Sequence, residues 1–504
     1  MNKIFSIFIY VLIGLMGGIV FPPFNKMILL SLVCGGIYFS YLLYGIVRSK
    51  SARGAFLFSW GLGFLSYIIS FSWLVQPFEF VGASAVAPLV VVFFDLCWSV
   101  FFGIVGLFTF YIKREKQYCG FAILFTLIEW VKSWIFTGFP WNPVALVWSN
   151  NLAMMQSVSV IGTYGLGFIT ISFLCLPYLF FERGKTIFKS LQFYCVMCLT
   201  VVSLSFGYWR IGKYKTFEPL GKSVKLVNRN VVQQDKYDIS NIDEYIKFSK
   251  IGADTDIVIW SETAVPVDLF RDEYSLMKLM NFVGDNKTLI TGFDRVEFLS
   301  ARNFKLYNVM AIIDYVGISD FYDKRHLVPF GEYIPFKKLI PFQKMVEGMI
   351  DFSSGEREVI FDIGGLKIYP VICYEAIFSG LKLPQEVDFI VNISNDKWFA
   401  GIGKVQHFDI VKFRAVEEGV PIVRVANDGI SAVISPLGSL IKSIDGREFL
   451  NESGIVDVEL VKRISRPFFS KTGNLLVVFL LICGVIWSFC SFKPFDFTKK
   501  NKKY

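Results

Sequence analysis

The chain has 504 residues, of which 54% are hydrophobic, 17% aromatic and only 18% charged, so it is far more apolar than an ordinary soluble protein. This composition excludes a purely water-soluble enzyme and predicts an integral membrane protein. The formal net charge of +9 does not indicate a nucleic-acid partner, because much of the cation excess lies in short loops between apolar segments and in the C-terminal tail.

The N-terminal part of the chain divides into apolar stretches of roughly 18 residues or more, long enough to cross a hydrocarbon core about 30 Å thick. Seven spans are predicted before a more polar segment and an eighth after it, at 4–21, 27–47, 55–76, 86–112, 119–136, 157–181, 190–209 and 473–492. The first span could instead be a cleaved signal peptide. The absence of a small-x-small cleavage site in the sequence favours a retained span.

The loops between these spans differ in charge. Lys and Arg follow the second, fourth and sixth spans, whereas the loops after the third and fifth spans have none. Because cations accumulate on the cytoplasmic side, the polar segment between spans seven and eight is predicted to lie outside, in a periplasm-like compartment. The predicted domains are a seven-span membrane domain (1–212), an outer domain (213–466) and a last span with a basic tail (467–504).

Three charged residues lie inside predicted spans. Glu129 and Lys132, three positions apart, share one face of the fifth span, and Asp95 lies in the fourth. Intramembrane charges indicate function by default, but a structural ion pair or snorkelling to the interface fits Glu129 and Lys132 equally well. The sequence leaves their role open.

The outer domain alternates β-branched runs with helical patterns. Helices are predicted at 240–252, 271–284 and 404–418, the last ending before Gly419. The near-continuous apolar strands suit a sheet covered on both faces, so the predicted fold class is a multi-pass α-helical membrane domain plus an α/β layered sandwich. The strands are predicted at 224–228, 256–260, 287–291, 308–314, 367–373, 388–394, 422–426 and 431–435.

Polar residues stand at the ends of three of these strands. Glu262 follows "DIVIW", Cys373 ends "KIYPVIC", and Asn395 follows "DFIVNIS". Catalytic and ligand-binding groups of α/β sheets gather beyond the carboxyl ends of the strands. The three clusters are therefore predicted to converge on one site.

Cys373 is the one cysteine among nine that lies outside the apolar spans and their edges. Such a lone thiol is either a buried small hydrophobe or a nucleophile, and a nucleophile needs a base because few thiols are ionised at neutral pH. The chain has only His326 and His407 as histidines. Glu262 is the candidate base, with a solvated loop acid as the alternative.

Acyl transfer to a thiol also requires positive charge where the oxyanion develops. The segment "YDKRHLVPFGEYIPF" offers Lys324, followed by Glu332 in a turn framed by Pro and Gly, although lysines in such runs are usually solvated. No metal or cofactor is expected, because the two histidines have no Cys or His partner at ligand spacing and no Gly-rich phosphate loop opens a helix.

Four motifs of the outer domain together resemble apolipoprotein N-acyltransferases, in which a nitrilase-like domain is attached to a membrane base. These motifs are "WSETAVP", "YDKRHLVPFGEYIP", "VICYEAIF" and "NISNDKWFAG", and the resemblance extends to "FPPF", "SFSWL", "TGFPW" and "GTYGLGF" in the spans. The resemblance implies an α-β-β-α sandwich and eight spans. It also implies a bacterial inner-membrane protein with a periplasmic catalytic domain, expected to be a monomer.

The resemblance also implies roles for single residues. The family's Glu-Lys-Cys triad falls on Glu262 as general base, Lys324 as oxyanion stabiliser and Cys373 as nucleophile. Further family positions match the three residues expected to orient the triad and close the oxyanion site, which are Glu332, Tyr374 and Glu375.

One segment departs from the family pattern. In "NRNVVQQDKYD" the family usually has a glutamine and a glycine near the start and a tryptophan near the end, where this chain has Asn228, Arg229 and Tyr237. An aromatic ring is kept at Tyr237, which is expected to support the site or contact substrate, as are Asn395 and Trp398.

The implied reaction is a ping-pong acyl transfer. Cys373 attacks the sn-1 ester of a phospholipid, and the α-amine of the diacylglyceryl-cysteine of an apolipoprotein then attacks the thioester. The expected partners are thus a phospholipid donor, a diacylated apolipoprotein acceptor and the bilayer. The segment 336–352 mixes cations with apolar residues and suits a mobile, membrane-touching lid.

Two other interpretations remain. A membrane-anchored amidase or nitrile hydrolase of the same superfamily would use water in place of the amine. A transporter or membrane scaffold would only bind through its outer domain, and it predicts that Cys373→Ala is harmless.

Overall fold

The computed structural model describes residues 3–80, 82–300, 303–335, 351–384, 386–444 and 454–490. The predicted lid lies outside these residues except for Asp351 and Phe352 at its end, and the basic tail from residue 491 onward also lies outside them. The described chain forms a bundle of apolar helices followed by two β-sheets.

The helical bundle carries large apolar side chains on its outer surface, including Phe8, Leu29, Leu89 and Phe181. Such a surface is expected where lipid rather than water surrounds the helices. The helices of the first part are α1 (Lys3–Ile19), α2 (Ile28–Arg48), α3 (Ala52–Ser70), α4 (Gln76–Phe80), α5 (Ala87–Trp98), α6 (Val100–Tyr111), α7 (Gln117–Lys132), α8 (Leu152–Met155), α9 (Val158–Leu174), α10 (Leu176–Arg183) and α11 (Leu191–Lys213).

Each predicted span coincides with a helix or with two consecutive helices, which confirms the multi-pass helical domain. α7 and α1 are shorter than the predicted spans, at 16 and 17 residues. The exact number of membrane crossings stays a prediction. Five stretches within the described residues are long and apolar enough to cross a membrane, namely Ile28–Arg48, Ala52–Ser70, Ala87–Tyr111, Val158–Lys189 and Leu191–Lys213.

The second part of the chain, here called the sheet domain, contains twelve strands within its described residues. They are β1 (Pro219–Asn228), β2 (Ile257–Trp260), β3 (Thr288–Ser300), β4 (Asn303–Asp314), β5 (Gly317–Asp323), β6 (Phe361–Ile363), β7 (Leu366–Ile372), β8 (Phe389–Asn395), β9 (Ile422–Asn427), β10 (Ser431–Ile434), β11 (Leu440–Ile444) and β12 (Gly454–Val461). All eight predicted strands are present. The sequence does not predict β5, β6, β11 and β12, which are short or interrupted by charged residues.

The strands form two six-stranded mixed sheets, in the orders β12-β1-β2-β3-β4-β5 and β11-β10-β9-β8-β7-β6. Alternate residues point to opposite faces of a strand, so Leu226 of β1 shares a core with Val391 of β8 between the sheets. The opposite face of the first sheet packs on α12 (Asn241–Ser249) and α13 (Glu273–Val283). With α14 (Ile402–Glu418) outside the second sheet, the layers confirm the predicted sandwich.

Helix α14 lies between the second sheet and the helical bundle. Phe408 and Val411 belong to the core of the sheets, whereas Ile410 and Phe413 belong to the core of the bundle. The helix ends at Gly419 in the left-handed conformation, with φ 68° and ψ 27°. This cap agrees with the prediction, since glycine adopts that conformation without steric cost.

The last helices, α15 (Phe468–Thr472) and α16 (Leu475–Phe489), return the chain from the sheet domain to the bundle. Leu481 of α16 packs with Ile123 of α7 and Tyr164 of α9. The sheet domain is therefore joined to the bundle at both of its ends.

The two ends of the bundle differ in charge. Glu182 near the end of α10 lies 3.6 Å from Arg48 and 2.9 Å from Arg114, so the cation-bearing loops after α2, α6 and α10 meet at one end. The loop after α7 instead contacts the sheet domain, where Tyr374 donates to the Gly138 carbonyl at 2.6 Å. Cation-rich and cation-free loops therefore lie at opposite ends of the bundle.

Candidate active site

Glu262 follows the end of β2 and is only 8% exposed. Its Oε1 accepts a hydrogen bond from Nδ2 of Asn308 at 2.7 Å, and its Oε2 accepts one from the backbone N–H of Asn395 at 2.7 Å. Asn395 ends β8, so the carboxylate links the two sheets. Gly292 leaves room for this link, since a Cβ there would lie 2.7 Å from the backbone nitrogen of Thr263. Glu262 is a buried, bonded carboxylate and not a solvated loop acid.

Lys324 follows the end of β5 and is 1% exposed. Its Nζ lies 2.9 Å from Oε1 of Glu332 and 3.7 Å from Oε1 of Glu262. Burial alone would lower the pKa of Lys324, but the two carboxylates outweigh it and raise this pKa well above its ordinary value. The ammonium therefore stays charged in the dry interior of the site.

Asn308 holds the two carboxylates of this cluster in place and is a residue that the sequence analysis missed. Its Nδ2 donates to Glu262 at 2.7 Å and to Glu332 at 3.2 Å. Glu332 is also fixed through its Oε2, which accepts from the N–H of Val328 at 2.8 Å. The one available signal for Asn308 is a polar residue beside the apolar run "VMAII" of β4.

Cys373 follows β7 and has a positive φ of 48°, a conformation that non-glycine residues rarely adopt outside functional sites. Its side chain is buried, with 5% exposure. Burial raises the pKa of the Cys373 thiol well above its ordinary value, and the Glu262 carboxylate adds to this, while Lys324 opposes it. Cys373 therefore lies near enough to Glu262 and Lys324, which are 3.7 Å apart, to be influenced by both charges, and burial favours the neutral thiol.

Glu375 connects the turn after β5 to the end of β7. Its Oε1 accepts from the Tyr322 hydroxyl at 2.7 Å and from the N–H groups of Arg325 and His326 at 2.9 and 3.1 Å. Its Oε2 accepts from the N–H of Ile372 at 2.8 Å. Burial raises the pKa of Glu375, and these donors counteract the rise. Glu375 thus fastens the turn that carries the lysine to the strand that carries the thiol.

Two of the predicted supporting residues face the helical bundle. Tyr374 is buried and donates to the Gly138 carbonyl at 2.6 Å. Trp398 packs edge-to-face on Phe80 of α4, with 5.4 Å between ring centroids. The site therefore lies where the sheet domain meets the apolar helices.

Tyr237 lies at the rim of the site and is 49% exposed. Its hydroxyl donates to Asp294 at 3.2 Å, and Asp294 interacts in turn with the charge of Glu262. The Asn395 side chain closes the same side by donating to Gln233 at 3.2 Å. The structure thus places Asn395 against the Glu262 carboxylate, whereas Tyr237 is linked to it through Asp294.

Neither histidine has the surroundings expected of a general base for Cys373. His407 is fully buried with Asp396 and Arg424, and burial and the Arg424 cation lower the pKa of His407. Burial also lowers the pKa of His326, whose Nε2 lies 2.7 Å from the Thr137 carbonyl oxygen. Within the described ranges no group of three or more His, Cys, Asp or Glu residues is arranged to hold a metal ion.

Sequence relatives decide the family. Residues 13–176 match the family described as apolipoprotein N-acyltransferase N-terminal domain, and residues 226–461 match carbon-nitrogen hydrolase. An apolipoprotein N-acyltransferase of Rickettsia bellii (strain RML369-C) is 37% identical, covering 93% of this chain and 95% of its own. The chain belongs to the apolipoprotein N-acyltransferase family. A second apolipoprotein N-acyltransferase, of Rickettsia prowazekii (strain Madrid E), is 33% identical, covering 95% of this chain and 98% of its own.

Solved structures are also similar to part of this chain, at lower identity. An amidase from Nesterenkonia sp. is 16% identical with a TM-score of 0.35, covering 51% of this chain and 94% of its own. A CN-hydrolase superfamily protein from Xanthomonas campestris is 16% identical with a TM-score of 0.36, covering 54% of this chain and 98% of its own. Membership in the apolipoprotein N-acyltransferase family makes this chain a membrane acyltransferase, and a transporter or scaffold is not favoured.

Proposed function

We propose that the protein transfers the sn-1 acyl chain of a phospholipid, through a thioester on Cys373, to the α-amine of the diacylglyceryl-cysteine of apolipoproteins. The observation that carries the proposal is a buried thiol that interacts with one buried carboxylate, Glu262, and one buried ammonium, Lys324, beside the apolar bundle. Family membership supports the choice of donor and acceptor.

In the first half-reaction, Glu262 takes the proton of the Cys373 thiol as sulfur attacks the ester carbonyl. The neutral resting thiol makes this proton transfer necessary, because the thiolate is the nucleophile. Lys324 stabilises the oxyanion of the tetrahedral intermediate. The intermediate then collapses, the C–O bond of the ester breaks, and protonated Glu262 returns the proton to the leaving lysophospholipid.

In the second half-reaction, the neutral α-amine of the apolipoprotein attacks the thioester carbonyl. Glu262 accepts the proton that the amine loses, and Lys324 again stabilises the oxyanion. The C–S bond breaks, the sulfur of Cys373 recovers a proton from Glu262, and the acyl chain remains on nitrogen as an amide. No cofactor enters either half-reaction as proposed.

We also propose that the supporting residues act through the triad. Glu332, whose Oε1 lies 2.9 Å from Nζ of Lys324, fixes the position of the ammonium that also faces Glu262. Tyr374 and Glu375 hold the turns on both sides of the thiol. Tyr237, Asn395 and Trp398 line the side of the site that would meet substrate.

The proposed location is the bacterial inner membrane, with the catalytic domain (213–466) on the periplasmic side between the membrane domain (1–212) and the last span with its tail (467–504). The grouping of Arg48 and Arg114 at the end of the bundle away from the sheet domain supports this orientation. The proposed active form is a monomer, since all three triad residues come from one chain.

The decisive experiment is intact-mass measurement of the full-length protein incubated with phospholipid. An acyl adduct that hydroxylamine removes and that Cys373→Ala lacks would establish the thioester. If wild-type protein that is folded and embedded in phospholipid never carries such an adduct, the mechanism is wrong.

A hydrolase is not favoured by the family relationship, and a test with the acceptor distinguishes it from an acyltransferase. Supplying a diacylated lipopeptide should convert the acyl adduct into an N-acylated lipopeptide with release of lysophospholipid. Release of free fatty acid at the same rate, with no acylated peptide, would favour the hydrolase.

A further inference from the structure

One loop of the bundle touches both catalytic turns of the sheet domain. The Tyr374 hydroxyl donates to the Gly138 carbonyl at 2.6 Å, and Nε2 of His326 lies 2.7 Å from the Thr137 carbonyl oxygen. Tyr374 directly follows the nucleophile in the chain, and His326 lies two residues after the oxyanion lysine. Two adjacent carbonyl groups therefore contact the neighbours of two triad residues.

The backbone of this loop is strained. Phe136, Thr137 and Gly138 have positive φ values of 53°, 74° and 88°. The β-branched Thr137 rarely adopts such a conformation, and a Cβ at Gly138 would collide with the carbonyl oxygen of Ser133. Strained backbone of this kind persists only where surrounding contacts determine it.

Two charged residues of α7 supply those contacts. Oε1 of Glu129 accepts from the N–H of Val144 at 2.9 Å, and the carbonyl of Lys132 accepts from the N–H of Phe139 at 2.9 Å. Both side chains are buried and their charges interact. The Lys132 ammonium is itself fixed by the hydroxyl of Tyr67 at 2.9 Å. The loop that presents the two carbonyls is thus bonded to α7 on both of its flanks.

We propose that Glu129 and Lys132 are positioning residues for the acyl transfer. They hold the loop 137–144 so that the carbonyls of Thr137 and Gly138 keep the turns that carry Cys373 and Lys324 in fixed positions relative to each other. The inference rests on the proposed function, because it assumes that these two turns perform the chemistry. The Glu129 carboxylate and the Lys132 backbone carbonyl then act mechanically, since both hold the loop that contacts the two catalytic turns.

The test compares three α7 variants of the full-length protein in phospholipid bilayers. Glu129→Ala removes the acceptor for the Val144 N–H, Glu129→Gln keeps an oxygen at that place, and Thr126→Val is the matched control. Thr126 is buried on the same helix, and its hydroxyl donates to the Ala122 carbonyl one turn away, at 2.9 Å. The first readout is alkylation of Cys373 by iodoacetamide, mapped by mass, because it reports on the thiol without lipid chemistry. The second is single-turnover formation of the acyl-thioester.

Glu129→Ala should slow thioester formation by about 10- to 100-fold, since displacements near 1 Å in a site have effects of that order. The apparent KM for phospholipid should change by less than about threefold, because substrate binding is not what is lost. The alkylation rate of Cys373 should change in the same variant. Glu129→Gln should recover most of the wild-type rate, and Thr126→Val should match wild type.

A second variant approaches the same contact from the other side. Tyr374→Phe removes the donor to the Gly138 carbonyl without altering the bundle, so it tests the inference even if Glu129→Ala does not fold. If Glu129 and Tyr374 act through the same contact, the double variant Glu129→Ala with Tyr374→Phe should form the thioester no more slowly than the slower of the two single variants.

Two outcomes would overturn the inference. One is thioester formation that falls in Glu129→Ala while Cys373 alkylation and its pH profile stay those of wild type, which would indicate impaired lipid entry. The other is a double variant in which the reductions in the rate of thioester formation are fully additive.

Absence of any thioester in wild type would instead refute the proposed function. The comparison of Cys373 alkylation rates among the variants would still be valid in that case.

Discussion

Two buried clusters of glutamate and lysine lie in this protein, and they differ in how their charges are balanced. In the catalytic cluster, Lys324 faces two carboxylates, at 2.9 Å from Glu332 and 3.7 Å from Glu262. In the bundle, Lys132 bonds the hydroxyl of Tyr67, and Oε1 of Glu129 accepts from the backbone N–H of Val144. The catalytic cluster thus surrounds one ammonium with carboxylates near a thiol, whereas the bundle cluster uses a carboxylate to hold the backbone of the loop after α7.

This difference explains why one cluster is suited to chemistry and the other to positioning. The side chains of Glu262, Glu332 and Lys324 are buried together, and the Glu262 charge raises the pKa of the Cys373 thiol. Glu262 is therefore near enough to the thiol to be the proposed acceptor of its proton. In the bundle, the buried carboxylates of Glu129 and Asp95 both act on Tyr67, so the two clusters differ in their partners rather than in a count of charges.

The largest effect on this comparison is expected from Glu262→Gln, which removes the carboxylate proposed as the base but keeps the shape of the side chain. Glutamine cannot take the thiol proton, so thioester formation should fall by about 10²- to 10⁴-fold. Because the Glu262 charge raises the pKa of Cys373, iodoacetamide should alkylate Cys373 at lower pH in the variant than in wild type. The measurement is rapid-quench acylation together with an alkylation rate profile against pH. Wild-type acylation, or a profile moved to higher pH, would contradict the assignment of the base.

The next test exchanges one lysine in each cluster for methionine. Lys324→Met removes the charge proposed to stabilise the oxyanion, so thioester formation should fall by about 10²- to 10³-fold. Lys132→Met removes a charge that only orders the bundle, and the loss of rate should stay below about tenfold. Single-turnover acylation and thermal unfolding in detergent compare the two. An equal loss of acylation rate in both variants, at equal thermal stability, would contradict the proposal that only the catalytic cluster takes part in the chemistry.

Glu375→Gln tests geometry without touching the triad. The carboxylate accepts from four donors, and an amide would turn its NH₂ group toward at least one of them. An unsatisfied buried donor costs about 1–3 kcal/mol, so thermal stability and acylation should both fall. Glu358→Gln is the control, because Glu358 is exposed and lies 3.9 Å from Arg325 on the surface, where such pairs contribute about 0–1 kcal/mol. Indistinguishable unfolding of the two variants would count against the proposed role of Glu375.

Much of the catalytic site follows from local patterns in the sequence. Apolar β-branched runs end two residues before Glu262 and at Cys373, and the ends of such strands meet at one edge of an α/β sheet. Composition leaves only two histidines as alternative bases, and the family resemblance implies Glu262 in that role. The local sequence was sufficient to predict the positions of Glu262 and Cys373, because each of them follows a strand of its own.

The remaining parts of the site depend on contacts that no local pattern encodes. Asn308 is one polar residue in a strand, and its amide reaches Glu262 only through the register of β2, β3 and β4. Tyr374 and Gly138 are 236 positions apart in the chain. The strained conformation of Thr137 is equally invisible in the sequence, since contacts with α7 and the sheet domain determine it. Non-local partners of this kind require the tertiary structure.

The smallest effect is expected at Tyr237, whose hydroxyl donates at 3.2 Å to Asp294 from a half-exposed position. A hydrogen bond at such a position contributes about 0.5–1.5 kcal/mol, so Tyr237→Phe should retain the acylation rate within about tenfold. Tyr237→Ala also removes the aromatic ring at the rim of the site, and it should raise the apparent KM for the lipopeptide more than it lowers the rate of thioester formation. Steady-state kinetics with a diacylated lipopeptide separate the two effects. If Tyr237→Phe instead abolished acylation, the Tyr237 hydroxyl would have to be part of the charge network around Glu262. The comparison of the two buried clusters would then have to include a third charged group in the catalytic cluster.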